Sequence, residues 1–172
     1  MGNQSGFTKG TGTEDVIFKL TNEILNALNN KTMAGSIFCD LGKAFDSVNH
    51  EILLSKLPYY GISGKAKLLL DSYLQNRYKK FQITNSYSNS NTVSKRTKIK
   101  YGVLQGSILG PFLFLVYIND LPKATEHKAL PSLLADDTSI LLTSPKNIEM
   151  QSGSNIIFEQ LIKWFKSHSL FL

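Results

Sequence analysis

Apolar positions recur along the chain with two periods, near 3.6 and near 2, and the changes between them mark out its elements. From Thr13, the residues Val16, Ile17, Leu20, Ile24 and Leu28 fall at helical spacing and predict one apolar helix face. Glu14 and Asp15 stand in its first turn, where carboxylates suit the positive end of the helix dipole. Asn29-Asn30-Lys31 ends it. Residues 34–41, AGSIFCDL, read as a short buried strand that runs into an acid at Asp40. Asn49 is placed to cap a helix through Leu57, with Ile52, Leu53 and Leu57 inward, and Pro58 and Gly61 punctuate its end. A further helix is expected from Gly64 to Gln75.

Two β-like stretches follow, Lys79–Thr84 and Thr92–Lys100, separated by the turn-rich NSYSNSN of a hairpin. A loop with glycines at 102, 106 and 110 leads to Pro111, in a first helical turn, and then to FLFLVYI. That helix is apolar nearly all round and should be interior. Pro131–Ala135 and Thr138–Thr143 read as apolar strands meeting at Asp136-Asp137, before an amphipathic helix from Asn147 to Ser167. The order predicts an α+β fold with an antiparallel sheet.

The 172 residues suit one domain, and 42% hydrophobic content supports a core. No apolar run reaches the length of a membrane span, and the N-terminus lacks a signal-peptide core. One Cys excludes an internal disulfide framework. The expected setting is a soluble intracellular protein of the cytoplasm or nucleus, not secreted and with no membrane partner. Charge changes the picture more. The net charge is +6, yet residues 77–100 hold Arg77, Lys79, Lys80, Lys95, Arg96, Lys98 and Lys100 and no acid, while the remainder has 12 basic and 13 acidic residues. The excess is one patch, which points to a polyanion partner as readily as to a solvated hairpin face.

Two acidic features resist a purely structural reading: Asp40 at the end of the buried run Ile37-Phe38-Cys39, and the adjacent Asp136-Asp137 between two apolar strands. Neighbouring like charges near a core cost free energy unless a cation neutralises them. If the sheet brings Asp40 beside Asp136, three carboxylates form an oxygen ligand set suited to Mg²⁺, which shares its coordination with water and substrate phosphates. Two such ions, roughly 3.5–4 Å apart, serve in-line phosphoryl transfer.

The segment FCDLGKAFDSVNHEILLSKL, residues 38–57, resembles the first catalytic motif of reverse transcriptases of non-LTR (LINE-type, jockey-like) retrotransposons. GVLQGSILGPFLFLVYINDLP, residues 102–122, resembles their second motif, and LADD, residues 134–137, their metal-binding turn. QSGFTKGTGTED, residues 4–15, resembles a stretch that opens a helix before the first motif. The resemblance implies a polymerase palm with part of the fingers and no thumb: a fingers-proximal helix in 1–33, a palm in 34–145 carrying the basic hairpin 77–100, and a C-terminal palm helix in 146–172. It implies RNA-templated synthesis of DNA from deoxynucleoside triphosphates on a DNA primer, with two Mg²⁺ ions, for which Mn²⁺ can substitute.

By the same resemblance, Asp40, Asp136 and Asp137 are the palm carboxylates and metal ligands, Asp40 and Asp136 foremost. Phe45 is the steric gate against a ribose 2′-hydroxyl. Leu41, Gly42, Lys43 and Ala44 line the triphosphate with backbone N–H groups, and Gln105 and Gly106 lie by the incoming nucleotide and template. The seven cations of 77–100 border the template–primer path. Asp46 is expected to order its loop, Cys39 to be a small buried hydrophobe, and Trp164 and Phe165 to be core anchors. His50, His127 and His168 carry no chemistry.

The chain departs from the family at Leu104, where Pro is common, at Leu134, where Phe or Tyr is common, and at Thr8 and Thr11, where basic residues are usual. Against the family pattern, the first fingers strands, the Asn…Lys-Thr stretch after the metal turn and the thumb are expected to lie outside this sequence, leaving an impaired enzyme. The alternative is an inactive retroelement-derived fragment that binds nucleic acid or protein.

Overall fold

The computed structural model of the chain describes residues 4–85, 90–125 and 129–172. A three-stranded antiparallel sheet organises the fold, built from β1 (Met33–Cys39), β6 (Leu130–Leu134) and β7 (Asp137–Ser144) in the order β1-β7-β6. The register pairs Met33 with Ser144 and Cys39 with Thr138 on one side of β7, and Leu130 with Leu141 and Leu134 with Asp137 on the other. Gln4 adds a parallel bridge to Leu133 on the outer edge of β6.

Alternation gives the sheet two unlike faces. Along β1, Gly35, Ile37 and Cys39 turn toward α5 (Asn147–Ser167), whereas Ala34, Ser36 and Phe38 are exposed. The thioether of Met150 on α5 reaches so close to Gly35 that a Cβ there would lie 3.2 Å from its sulfur. The core continues from this face into α2 (His50–Lys56), α3 (Gly64–Leu74) and α4 (Leu109–Ile118), where Leu53, Leu57, Leu74, Leu113, Phe114, Tyr117, Ile140, Leu161 and Phe165 are buried together. Asn49 caps α2 as predicted, its side-chain oxygen accepting from the N–H groups of Glu51 and Ile52 at 2.9 and 3.2 Å.

Two expectations need correction: the strand expected to be buried is covered on one face only, and the basic hairpin is not one continuous ladder. The apolar face of α1 (Thr13–Asn29) is largely uncovered: Val16 is buried, but Ile17, Ile24 and Leu28 are exposed. The helix meets the sheet near β1 and β6, and α5 takes the opposite face, so helical spacing correctly marked a helix without marking a covered one. The basic hairpin is also broken in two. β2 (Tyr78–Lys79) pairs with β5 (Thr97–Lys98), and β3 (Gln82–Asn85) with β4 (Ser90–Val93), apart from the central sheet. Between the ladders, Ser94 Oγ accepts from the Phe81 N–H at 2.8 Å. Residues 86–89 of the turn, and His127, lie outside the described residues. Trp164 is half-buried beside the fully buried Phe165, as expected of core anchors.

Candidate active site

The carboxylates gather at one end of the sheet because three chain segments end there. β1 delivers Asp40 just past Cys39, whose side chain is buried, so the acid leaves the core at a fixed point. Extending the register of Cys39 with Thr138 by one position sets Asp40 across from Asp137, the first residue of β7. Both line a groove of about 350 Å³ with Phe38, Leu134, Ser139 and the α1 residues Thr13, Val16, Ile17 and Leu20. Asp136 stands one residue away in the two-residue loop Ala135-Asp136 that joins β6 to β7. The sheet thus brings Asp40 opposite Asp137, with Asp136 beside them in the turn. Among the described residues, no three His, Cys, Asp or Glu side chains are drawn into a ready-made metal cage.

The donor set still suits a cation that keeps most of its water. Mg²⁺ is commonly held by one or two carboxylates together with substrate phosphates. Asp40 and Asp137 are both exposed, so neither must shed its hydration before a substrate arrives.

The loop after Asp40 is fastened to the loop before α4. Gly102 N–H donates to the Val48 carbonyl at 2.8 Å and Val103 N–H to that of Phe45 at 2.9 Å, while His50 Nε2 lies 2.8 Å from the Gly102 carbonyl. Gly102 has φ +89°, and a Cβ there would stand 3.0 Å from the Asp46 carbonyl oxygen, so only glycine permits this approach. Gln105 and Gly106 are consequently held on an exposed loop near the Asp40 segment. Ser107 secures the start of α4, its Oγ accepting from the Gly110 N–H at 3.0 Å and donating to the Leu104 carbonyl at 2.7 Å.

Phe45 is half-buried, stacked on Phe114 of α4 with centroids 4.8 Å apart and edge-on to Phe7 at 6.3 Å. Leu41 and Ala44 are buried, and Lys43 is exposed with a left-handed backbone, φ +51°. Gly42 N–H donates to the Phe171 carbonyl at 3.0 Å, so one of the four N–H groups of this loop is engaged by the C-terminal residues. Asp46 is exposed, and its N–H closes the loop onto Lys43 at 2.9 Å.

On the hairpin, the register puts Tyr78 opposite Lys98, and the Arg96 guanidinium lies 4.0 Å from the Tyr78 ring centroid. Arg77 covers Tyr73 at 5.6 Å and Lys79 covers Phe81 at 5.7 Å. Lys79, Lys80, Lys95, Arg96, Lys98 and Lys100 are all exposed.

Sequence reasoning missed two groups. The first is the opening segment, where Gln4 and Gly6 sit against the Ala135 backbone. Ala135 has φ +57°, a left-handed conformation that costs an L-residue about 1–2 kcal/mol. Thr8 and Thr11, found where the family has basic residues, close this segment by donating to the Gly6 and Ser5 carbonyls at 3.2 and 2.9 Å. No spacing rule announces such contacts between distant segments.

The second is a polar cluster behind the site. Lys56 Nζ donates to the Tyr117 carbonyl at 2.6 Å and to Asp120 at 2.5 Å, and lies 5.2 Å from the Trp164 ring centroid. Tyr117 Oη donates to the His168 carbonyl, and the His168 ring stacks on Trp164 at 3.8 Å. Burial pushes the Tyr117 hydroxyl up to about 12 and draws Lys56 below its usual range, with Asp120 opposing the latter. Burial, helped by the Lys56 charge, also lowers His168, against the pull of the Trp164 carbonyl and Asp120.

An imidazole whose folded value lies below its unfolded one, about 6.5, is protonated first in the unfolded chain. Its neutral form is therefore tolerated in full above that pH, and stability falls as pH drops through it. The melting temperature is expected to decline between pH 7.5 and 5.5, and His168→Gln to flatten the decline. Equal slopes in both proteins would remove His168 as the cause.

Comparison with known proteins identifies the family and the fold. A family profile described as "Reverse transcriptase (RNA-dependent DNA polymerase)" matches residues 1–171. The "Probable RNA-directed DNA polymerase from transposon BS" of Drosophila melanogaster is 35% identical over 95% of this chain. The "RNA-directed DNA polymerase from mobile element jockey" of the same species is 32% identical over 94%. The chain spans 18% of the length of each of these two curated relatives.

Among solved structures, an apo telomerase from Candida tropicalis truncated from its C-terminal domain aligns with 90% of the chain, and with 32% of its own length, at TM-score 0.59 and 16% identity. Telomerase from Candida albicans, in complex with a TWJ fragment of telomeric RNA, aligns with 98%, and with 30% of its own length, at TM-score 0.63 and 14% identity. These likenesses establish the fold. With the profile running over nearly the whole sequence and the mobile-element polymerases matching it collinearly, the chain belongs to the reverse transcriptase (RNA-dependent DNA polymerase) family.

Proposed function

We propose that the chain is the palm and part of the fingers of an RNA-directed DNA polymerase of a non-LTR retrotransposon, joining deoxynucleotides to a DNA primer on an RNA template. The observation that carries this reading is the register that sets Asp40 across from Asp137, with Asp136 in the adjoining turn. The family works with divalent metal ions. Two Mg²⁺ ions, or Mn²⁺ in their place, would be held by Asp40, Asp136 and Asp137, and when bound supply activation of the primer hydroxyl and neutralisation of the leaving pyrophosphate.

The remaining work falls to the chain. Phe45, held by Phe114 and Phe7, keeps a rigid ring where a ribose 2′-hydroxyl would have to fit. The backbone N–H groups of Leu41, Gly42, Lys43 and Ala44 would meet the triphosphate, which for Gly42 requires its N–H to leave the Phe171 carbonyl. Gln105 and Gly106 meet the nascent base pair from the loop fastened at Gly102. The cations of 77–100 hold the phosphate backbone, with Tyr78 and Phe81 between them.

The test is extension of a DNA primer on an RNA template by the purified chain with Mg²⁺ or Mn²⁺. Cation-dependent incorporation that is lost in Asp40→Asn supports the reading. Nucleic-acid binding with no cation-dependent incorporation would favour a fragment that binds without catalysis. A second measurement isolates the hairpin. Replacing Lys95, Arg96, Lys98 and Lys100 by Gln is expected to weaken RNA binding and flatten the slope of log K against log salt by up to about 3. An unchanged slope would leave the patch a solvated face.

A further inference from the structure

The turn that carries Asp136 and opens onto Asp137 does not use the residue such turns prefer. In a two-residue hairpin loop the first position commonly requires positive φ and is filled by Gly, Asn or Asp. Here it is Ala135, at φ +57°. A residue held in a sparsely populated conformation persists when its surroundings over-determine it. Those surroundings come from the other end of the sequence.

Gln4 is buried, 8% exposed, and its amide meets both backbone groups of Ala135. Its Oε1 accepts from the Ala135 N–H at 3.1 Å, and its Nε2 donates to the Ala135 carbonyl at 3.3 Å. The same Oε1 accepts from the Gly6 N–H at 2.6 Å, which locks the side chain in that orientation. Ser5 N–H donates to the Leu133 carbonyl at 2.8 Å, so the segment is held on the outer edge of β6 at the bridge of Gln4 with Leu133. Gly6 makes the approach possible: a Cβ there would lie 2.1 Å from the Ala135 nitrogen and 2.7 Å from its Cα.

We infer that Gln4 is a positioning residue for the carboxylate turn: its amide clamps Ala135 in the left-handed conformation and so fixes Asp136 and Asp137 relative to Asp40. The inference rests on the reading of these acids as metal ligands. Gln4 does by side-chain hydrogen bonding what glycine at 135 would allow by conformational freedom. A small displacement of reacting groups is enough to cost catalysis heavily, so the clamp bears on function while standing outside the groove.

This equivalence gives the test. In the full chain, Gln4→Ala and, independently, Gly6→Ala are expected to speed amide exchange at Ala135, Asp136 and Asp137 at least tenfold, with Ile140 unchanged. Titration with Mn²⁺ alone, followed by the resonance of the free ion, is expected to show at least fivefold weaker binding in both. Adding Ala135→Gly to Gln4→Ala is expected to restore Mn²⁺ binding to within twofold of the parent, because glycine needs no clamp. If Gln4→Ala does not fold, Gln4→Met fills the same volume without polar atoms and is read in the same way. Unchanged turn exchange in these variants overturns the inference. So does failure of Ala135→Gly to restore binding, since Gln4 would then merely anchor the N-terminal segment. Equal Mn²⁺ binding by the parent and Asp40→Asn would instead sink the metal-ligand reading, and turn exchange would decide the clamp alone.

Discussion

Replacing Asp40 by Asn will abolish cation-dependent primer extension while leaving the fold unchanged. The side chain is exposed at the end of β1, and asparagine keeps its shape, so the stability change should stay within about 0.5 kcal/mol. The charge is what is lost. A carboxylate placed to hold a divalent ion acts on charge that develops during transfer, and removing one such stabilising group costs on the order of 10²–10³ in rate. A chain that melts like the parent and keeps most of its rate would remove Asp40 from the chemistry. Asp46→Asn is the matched control: that acid is also exposed in the same motif, but its backbone, not its carboxylate, closes the loop onto Lys43. The neighbours in the turn separate two expectations. The family resemblance ranks Asp136 with Asp40, whereas the register sets Asp137 across from it. Both substitutions should cost at least about tenfold, and the larger loss identifies the acid that shares an ion with Asp40.

What was legible in the sequence depended on whether the signal was local. The last helix, Asn147–Ser167, and the cap at Asn49 were readable because periodicity and capping chemistry act within a few residues. The antiparallel sheet and its acidic turn were readable from apolar runs broken by Asp136-Asp137, although the loop is Ala135-Asp136 and Asp137 already belongs to β7. A one-residue difference matters here, since it decides which acid faces Asp40. Long-range partnership was not legible. Nothing in the pattern of α1 says that Ile17 and Leu28 stay exposed, or that Gln4 ends 131 positions from its hydrogen-bond partner. The Lys56–Asp120 pair is a similar case, because Lys56 is buried against a half-exposed Asp120 only when α2, α4 and α5 meet. Several site residues taken from motif resemblance, Asp40, Gly42 and Gln105 among them, lie on loops whose spacing alone assigns no role. The contacts of Gly102 with Val48 and Asp46 show physically how the first two motif segments are held together.

Truncating Phe114 to Ala should have the largest effect on stability, and the effect should reach the site. Phe114 is fully buried at the junction of α4 with the motif loops, and its ring stacks on Phe45. Removing a buried phenylalanine side chain costs about 3–5 kcal/mol, against a total stability of about 5–15 kcal/mol for a domain. At about 2–4 °C per kcal/mol for a chain of this size, the melting temperature should drop by about 6–20 °C. Phe114→Leu keeps much of the volume and should lose less than half as much stability, since volume-conserving apolar exchanges are tolerated best. Its consequence for Phe45 is different. A leucine offers no flat face for the ring to stack on, so the side chain gains freedom to leave the position proposed to exclude a 2′-hydroxyl. Phe114→Leu is therefore expected to incorporate ribonucleotides more readily relative to deoxynucleotides while remaining folded, a change read directly by competing the two in primer extension. Unchanged discrimination in a folded Phe114→Leu chain would show that Phe45 needs no support from beneath, and that its stacking belongs to the core alone.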